Sequence, residues 1–302
     1  MLGRIHQEGL FADDLSPARP LVKWAGGKNA LLPILRRLLP HDLERYAEVF
    51  VGGGALFFNL AFPNSLISDT NDELIHFYSI VRDLPEALLE SVRRMPISAE
   101  FYYQLRAKDP GSLEPVERAA RFIYLNKTCY NGLYRVNRQG QFNTPFGKRT
   151  NVTILAQEEL HRASALLRQT EISCEHYTHA LSRLKEGDFA YLDPPYLPVG
   201  HYSDFNRYTR DFFTEADHVT LANEYAQLGR QGVKALLSNS YHERILSLYK
   251  GFEVTIVTAS RQINCDPSRR GEIREVIVAN YPVEIPEGVP AHKVHGQQTG
   301  GA

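Results

Sequence analysis

The chain has 302 residues, 43% of them hydrophobic and 23% charged, which is enough apolar material for a large core and enough length for roughly two structural units. No stretch approaches the roughly 20 uninterrupted apolar residues of a membrane span, and the opening MLGRIHQEGLFADDL is too acidic and too weakly apolar for a secretory leader. A cytoplasmic protein with no membrane attachment is expected.

The three cysteines, Cys129, Cys174 and Cys265, are odd in number and far apart, and the 11 histidines lack ligand spacing. Neither a disulfide framework nor a zinc site is indicated, so the expected chemistry uses no metal. Net charge is −1, yet the charge is unevenly spread. Arg118, Arg121, Lys127, Arg135, Arg138, Lys148 and Arg149 fall within residues 118–150 without one Asp or Glu between them. Phe122, Tyr124, Tyr130, Tyr134, Phe142 and Phe146 are interleaved. A plain helix with this composition would be a solvated basic face. The glycines and asparagines of YNGLYRVNRQGQFNTPFGK instead predict a loop or hairpin that displays cations and flat rings together, as nucleic-acid contacts require.

Taken in order, residues 1–18 read as a tail, and so do residues 284–302, whose polar, glycine-rich composition has no period. A glycine turn, LVKWAGGKNA, leads into LLPILRRLLP, whose leucines recur at helical spacing and whose Pro33 sits in the first turn, where proline is tolerated. YAEVFVGGGALFFNLAF predicts a short buried strand, a glycine turn and a helix, and SLISD a second strand ending in Asp69. Helical segments then follow through DELIHFYSIVRDL, PEALLESVRR, SAEFYYQLRAK and EPVERAARFIYLNK, up to the basic loop. From about residue 160 strands and helices alternate again: QEELHRASALLRQ, EISCEHY, the strand into Asp193, a helix over about 214–229 and VKALLSNS. EVTIVTA and EIREVIVANY are predicted to pair as an edge hairpin around a basic turn with Arg269 and Arg270. This alternation predicts a mostly parallel, doubly wound α/β sheet interrupted by a helical insertion.

Two strand ends carry acids. FAYLDPPYLP ends an apolar run in Asp193 and then blocks further strand or helix with Pro194 and Pro195. By itself the stretch fits an ordinary exit with a solvated acid as well as a reactive group held at a sheet rim. The second acid, Asp69, lies seventeen residues past Gly52 of FVGGGA. That turn lacks the G-x-G-x-x-G spacing of a pyrophosphate loop and would suit a purely structural role. An acid at the tip of the next strand can accept ribose hydroxyls, which favours an adenosine-type ligand. Trp24 and Lys28 in the earlier turn have ordinary readings as a packing residue and a surface cation; the alternative is a cradle for a small anion such as a carboxylate.

Together, KWAGGK, EVFVGGGALFFN, ISDTNDELI, FIYLNKTCYNGLYRVNRQGQFNTPFGK, YLDPPY and LLSNS, in this order over about residues 20–282, resemble the DNA adenine methyltransferase (Dam) family. The resemblance implies a Rossmann-like methyltransferase domain over 19–75 and 160–283, a helical target-recognition insertion over 76–159 and a flexible tail over 284–302. It implies S-adenosyl-L-methionine as cofactor, contacted by Trp24, Lys28, Phe50, Gly52, Gly54, Asp69 and Asp193, with Lys28 on the methionine carboxylate and Asp69 on the ribose. Asp193, Pro194 and Tyr196 would carry catalysis on a flipped adenine in double-stranded DNA. Lys23, Lys127, Tyr130, Asn131, Leu133, Arg135, Pro145 and Lys148 would face DNA, with GATC as the target of relatives that have a similar loop. The chain departs from many relatives at Glu48-Val49-Phe50, where a proline is common after the glutamate, and in GGG for GAG. Lys127 stands where some relatives have arginine.

A monomer on DNA is expected, with or without a cognate restriction endonuclease. Alternative readings are an amine methyltransferase acting on cytosine N4, RNA or a protein amide, and a catalytically silent DNA-binding relative.

Overall fold

The structure, a computed structural model, describes residues 16–137, 139–149, 151–197, 213–260, 272–284 and 291–294. In chain order it contains α1 (Leu32–Leu38), β1 (Arg45–Glu48), α2 (Ala55–Leu60), β2 (Ser65–Asp69), α3 (Asp72–Asp83), α4 (Pro85–Arg93), α5 (Ala99–Ala107) and α6 (Pro115–Thr128). There follow α7 (Gln157–Leu167), β3 (Thr170–Cys174), α8 (Tyr177–Leu181), β4 (Asp188–Leu192), α9 (Glu215–Arg230), β5 (Lys234–Ser240), α10 (Glu243–Leu248), β6 (Glu253–Ser260), β7 (Glu272–Ala279) and β8 (Ala291–Val294). The mixed α/β composition and predominantly parallel early strands are those of a Rossmann-like fold, as the alternation of elements predicts.

By compactness the described residues divide into two units, one of residues 16–29 and 50–177 and the other of residues 30–49, 178–197 and 213–294. Compactness groups the glycine turn and Asp69 with the helical segment.

In the first unit β2 and β3 run parallel, with Asp69 opposite Cys174. The helix α3 begins where it does because Asn71 caps it, its side chain accepting the Leu74 N–H at 3.0 Å, while Asp72 and Glu73 complement the positive end of the helix dipole. Its apolar face, including Leu74, Phe77, Tyr78 and Val81, is buried, and α3 packs against α6 and α7. Pro115 opens α6, which is buried continuously from Ala119 to Asn126.

That burial corrects the expectation for the basic stretch. Arg121 is buried and donates to the carbonyls of Leu105 and Arg106 at 3.0 and 2.9 Å, and Arg118 pairs with Asp72 and Glu73. Phe122, Tyr124, Tyr134 and Phe142 are core residues, and only Tyr130 of the six aromatics stands exposed. Their rings are more valuable in the core than on the surface, since a small helical segment needs large apolar side chains to bury.

In the second unit the strands follow the order β1-β4-β5-β7-β6-β8. β4 is parallel to both β1 and β5, whereas the pairs β5–β7, β7–β6 and β6–β8 are antiparallel. Every residue of β4 is buried, as expected of a strand covered on both faces.

Two expectations change here. β6 and β7 do pair antiparallel, but β7 lies beside β5 and β6 is in turn covered by β8, so the hairpin is not the edge. β8 falls inside the stretch expected to be an unstructured tail. An edge strand presents unpaired N–H and C=O groups, and a following extended segment satisfies them whatever its composition. At the other end packing extends into the stretch expected to be a tail: Ala18 is buried and its N–H donates to the Phe58 carbonyl at 2.9 Å. Arg138, Cys265, Arg269, Arg270 and the aromatic segment 201–212 with Phe205 and Phe212 lie outside the described residues. Phe213 is described, and its ring meets His218 edge-on at 4.8 Å.

Among the described residues, no helix is long and apolar enough to cross a membrane. Nor does any group of three or more His, Cys, Asp or Glu side chains among them have an arrangement that could hold a metal ion.

Candidate functional site

Most of the residues expected to contact the cofactor meet in the first unit. Asp69, at the end of β2, accepts the Gly52 N–H at 3.0 Å with one oxygen and the Asn71 N–H at 3.0 Å with the other. Burial raises its pKa, and the N–H groups of Asn71, Gly52 and Thr70 oppose that rise by stabilising the charged form. The Gly52 carbonyl accepts the hydroxyl of buried Tyr78 at 2.8 Å, so both polar groups of that peptide are used. Gly52 has φ +45°, and a Cβ there would lie 2.7 Å from Cδ1 of Trp24 and 2.9 Å from its Nε1. At Gly53 a Cβ would come within 3.2 Å of the same side chain. Glycine is required because the indole lies against the turn. Gly54, with φ +64°, caps α2, where a Cβ would press on the Phe58 ring at 3.0 Å.

Trp24 is partly exposed, with one face stacked on Tyr134 (centroids 5.2 Å, interplanar angle 20°), which is a different environment from the core. Lys28 is not a surface cation: it is 6% exposed and its Nζ donates to the Gly26 carbonyl at 2.6 Å. Phe50 lies tilted against Tyr177 at 5.1 Å. The structure thus gathers a strand-end carboxylate, a bare glycine turn, an indole and a buried ammonium group on connected segments of one unit. The sequence does not single out Asn71 or Tyr78 and places Tyr134 only among the aromatics of the basic stretch, although Asn71 just before an amphipathic helix has the signature of a cap.

The second unit holds the DPPY exit. Ser238 donates to Oδ1 of Asp193 at 2.8 Å, and its oxygen lies 2.9 Å from the Tyr191 hydroxyl. Because the single Ser238 hydrogen goes to Asp193, Tyr191 donates to Ser238, and a two-step hydroxyl chain runs from the strand interior to the acid. Tyr196 donates to Glu275 Oε2 at 2.6 Å, which fixes its ring, and burial together with the Asp193 and Glu275 charges pushes its pKa well above the ordinary phenol range. Pro194 is buried. The next residue after Tyr196, Leu197, is clamped by the end of β5: its N–H donates to Asn239 Oδ1 at 3.3 Å and its carbonyl accepts the Ser240 hydroxyl at 2.8 Å.

Ser238, Asn239 and Ser240 are all buried and none was assigned a role from the sequence. The signal was present, since three consecutive polar residues closing an apolar strand need partners. Deeper in the same unit, buried Glu48 accepts the Tyr46 hydroxyl at 2.6 Å.

The expected DNA-facing residues lie on the segment after α6. Tyr130, Asn131, Arg135, Pro145 and Lys148 are exposed, while Lys127, Leu133 and Lys23 are half-buried. Two isolated bridges, Cys129 with Phe146 and Val136 with Phe142, close the segment into a hairpin. Asn143 Oδ1 accepts from Arg135 Nε at 3.1 Å and so orients the guanidinium. Lys127 is pushed down to about 8 by desolvation and by the neighbouring Lys23 charge.

A sequence model of the family described as D12 class N6 adenine-specific DNA methyltransferase matches residues 24–263. Similar curated proteins include the Type II methyltransferase M1.LlaDCHI of Lactococcus lactis subsp. cremoris, 40% identical over 271 residues that cover 87% of this chain and 95% of the relative. The Type II methyltransferase M.MjaIII of Methanocaldococcus jannaschii is 38% identical over 286 residues, covering 87% of this chain and 99% of the relative. The DNA adenine methylase of Escherichia coli (strain K12) is 32% identical over 270 residues, covering 87% and 96% respectively.

The packing of Trp24 on the glycine turn is directly testable, since it is the only tryptophan of the chain. Gly52→Ala forces a left-handed backbone on alanine and drives Cβ into the indole. It is expected to lower stability by about 1–3 kcal/mol in denaturant titration and to shift the Trp24 emission maximum. An unchanged spectrum and midpoint would contradict the packing.

Proposed function

The chain belongs to the D12 class N6 adenine-specific DNA methyltransferases and methylates adenine in DNA, and from that premise we propose how its residues divide the work. S-adenosyl-L-methionine supplies an electrophilic sulfonium methyl. The residues of the first unit suit that group. Asp69 is a partly buried acceptor for ribose hydroxyls, Lys28 a buried cation for the carboxylate, and the Gly52–Gly54 backbone, with Trp24 and Phe50, gives close approach without side-chain obstruction.

The observation that carries the catalytic proposal is the anchoring of Asp193. The N6 amine is a poor nucleophile because its lone pair is delocalised into the ring. Asp193 and the Pro194 carbonyl accept its two hydrogens, which favours the pyramidal amine and stabilises the positive charge that develops on nitrogen. Ser238, backed by Tyr191, holds one oxygen of Asp193 in place, so the acceptor is oriented before the substrate arrives. Tyr196, fixed by Glu275, presents a ring for stacking the base. The amine is paired inside a duplex, so the adenine must be flipped out to reach Asp193.

The insertion over 76–159 is assigned target recognition, and the remainder, 19–75 with 160–283, the methyl-transfer domain. On the hairpin, Leu133 and Pro145 suit a thymine methyl and Arg135 a guanine edge, with GATC as the proposed target. Lys23, Lys127, Tyr130, Asn131 and Lys148 would position the duplex, mostly through its backbone. Asp193 also contacts the methyl-bearing end of the cofactor and so serves both substrates. Action as a monomer in the cytoplasm, with or without a cognate endonuclease, completes the proposal. Relatives named Type II methyltransferases support the restriction-modification context.

Asp193→Ala is expected to lower single-turnover methyl transfer by at least about 10²–10³-fold while the protein stays folded. Asp193→Asn, which keeps an acceptor but not the charge, should lose less. Wild-type turnover in the alanine variant would overturn the mechanism. For the hairpin, methylation rates on a panel of single-base variants of GATC at fixed salt are the measurement. Arg135→Ala should relax discrimination at the last base pair by about 1–3 kcal/mol. A uniform loss on every sequence would instead make Arg135 a phosphate contact.

A further inference from the structure

Asn239, next to last in β5, is wholly buried, and only one end of its side-chain amide is used. Oδ1 accepts the Ser240 N–H at 2.8 Å and the Leu197 N–H at 3.3 Å. Two backbone donors that converge on one atom require an oxygen there, which fixes the amide's orientation and puts Nδ2 on its far side. Nδ2 is buried and has no hydrogen-bond partner among the described residues. Two other asparagines show the usual arrangement. Asn126 bonds the Lys23 N–H and carbonyl with the two ends of its amide, at 2.8 Å each, and Asn280 bonds the Ala235 N–H and the Val233 carbonyl at 2.8 and 2.9 Å. A buried donor that has given up water with nothing in exchange destabilises the fold, so its place marks where an acceptor from outside the chain is received.

That place is the DPPY exit. The parallel pairing of β4 with β5 ends at Leu192 opposite Leu237, so Asn239 stands beyond it, level with the residues that follow Asp193. Those residues cross the end of β5. Tyr196 reaches Glu275 on β7, whose partner on β5 is Ser240, and Leu197 is held by Asn239 and Ser240. On the other side of Asn239, Ser238 donates to Asp193. Asn239 therefore lies between the residue that orients the acid and those that hold the stacking ring. Asp193 and the Pro194 carbonyl can only accept from a base, the Tyr196 hydroxyl is committed to Glu275 and the Ser238 hydroxyl to Asp193. The Nδ2 of Asn239 is a donor with no such commitment.

We propose that Asn239 reads the flipped base, its Nδ2 donating to a ring nitrogen beside the N6 amine. This rests on the assignment of the amine to Asp193 and Pro194 proposed above. Along its amine edge adenine presents an acceptor, a donor group and an acceptor: N7, the N6 amine and N1. The two acceptors of the exit match the amine, and a neighbouring donor is what the ring nitrogen on one side of it needs. Either nitrogen supplies the same chemistry. N1 has a counterpart in N3 of cytosine, whereas N7 has none, so a bond to N7 also makes Asn239 a selector of adenine over cytosine. A base that lacks the acceptor leaves a buried N–H unpaired in the transition state, and that penalty is what discriminates.

The experiment is single-turnover methylation by the full-length protein of a duplex that carries adenine, 7-deazaadenine or 1-deazaadenine at the target position, a C–H replacing one ring nitrogen in each analogue. Wild type is expected to be about tenfold slower on one analogue than on adenine, and which one identifies the nitrogen. In Asn239→Ala the adenine rate should fall and the ratio of the two rates should drop below about twofold. Asn239→Asp keeps an acceptor for Leu197 and Ser240 but has no N–H, and its ratio should drop likewise. An effect of the analogue on the amine itself, or a residue that only supports the exit, would leave the wild-type ratio unchanged in both variants. Equal wild-type rates on all three targets, or an undiminished ratio in the variants, overturns the proposal. Should Asn239→Ala fail to fold, the wild-type rates and Asn239→Asp decide the matter. Wild-type turnover in Asp193→Ala would overturn the assignment of the amine, a failure separate from that of Asn239.

Discussion

The carboxylate of Asp69 spans two backbone N–H groups, those of Gly52 and Asn71, and the arrangement of the first unit follows from that bridge. A parallel strand that ends in an acid leaves a charge at the sheet rim, and the charge is stable there only if donors converge on it. Gly52 meets the need by turning with positive φ, which brings its N–H to Asp69 and its carbonyl to Tyr78. The same turn has no Cβ to obstruct Trp24. Asn71 meets it from the other side and, having done so, starts α3. One carboxylate thereby sets a bare backbone, an indole and a helix start within a few residues of one another.

The DPPY exit is governed by a parallel constraint. Pro194 and Pro195 cannot donate to the sheet, so β4 must end, and the departing chain needs other anchors. The polar end of β5 supplies them: Ser238 for Asp193, and Asn239 and Ser240 for Leu197. Glu275 on β7 takes the Tyr196 hydroxyl. Ser238, itself hydrogen-bonded to Tyr191, donates to one oxygen of the acid and so orients the carboxylate, as an acceptor of hydrogen bonds from an amine requires.

Most of the architecture was legible because it is written in periodicity and caps. The strands ending at Asp69 and Asp193 and the helices from Asp72 to Thr128 follow from apolar spacing, Asn71 and the prolines at helix starts. Short elements such as α8 and α10 carry too few residues for a period to emerge. β8 was missed since its pairing depends on the exposed edge of β6, a tertiary fact. The basic stretch was half misread for the same reason. Composition could not say which cations and rings α6 would turn inward, so Arg118 and Arg121 were counted with Arg135 and Lys148, although their partners are protein groups. Candidate site residues were legible where a motif named them; Ser238 acts through the side chain of Asp193, and such a role exists only once the chain is folded.

The glycine turn against Trp24 is the proposed seat of the cofactor. Because Trp24 is the sole tryptophan, its emission reports on that place alone. Titration with S-adenosylhomocysteine, followed in parallel by fluorescence and calorimetry, is the most direct measurement. A saturable change in Trp24 emission with the same midpoint as the heat signal is expected. Binding heat that saturates while the emission stays constant would contradict it.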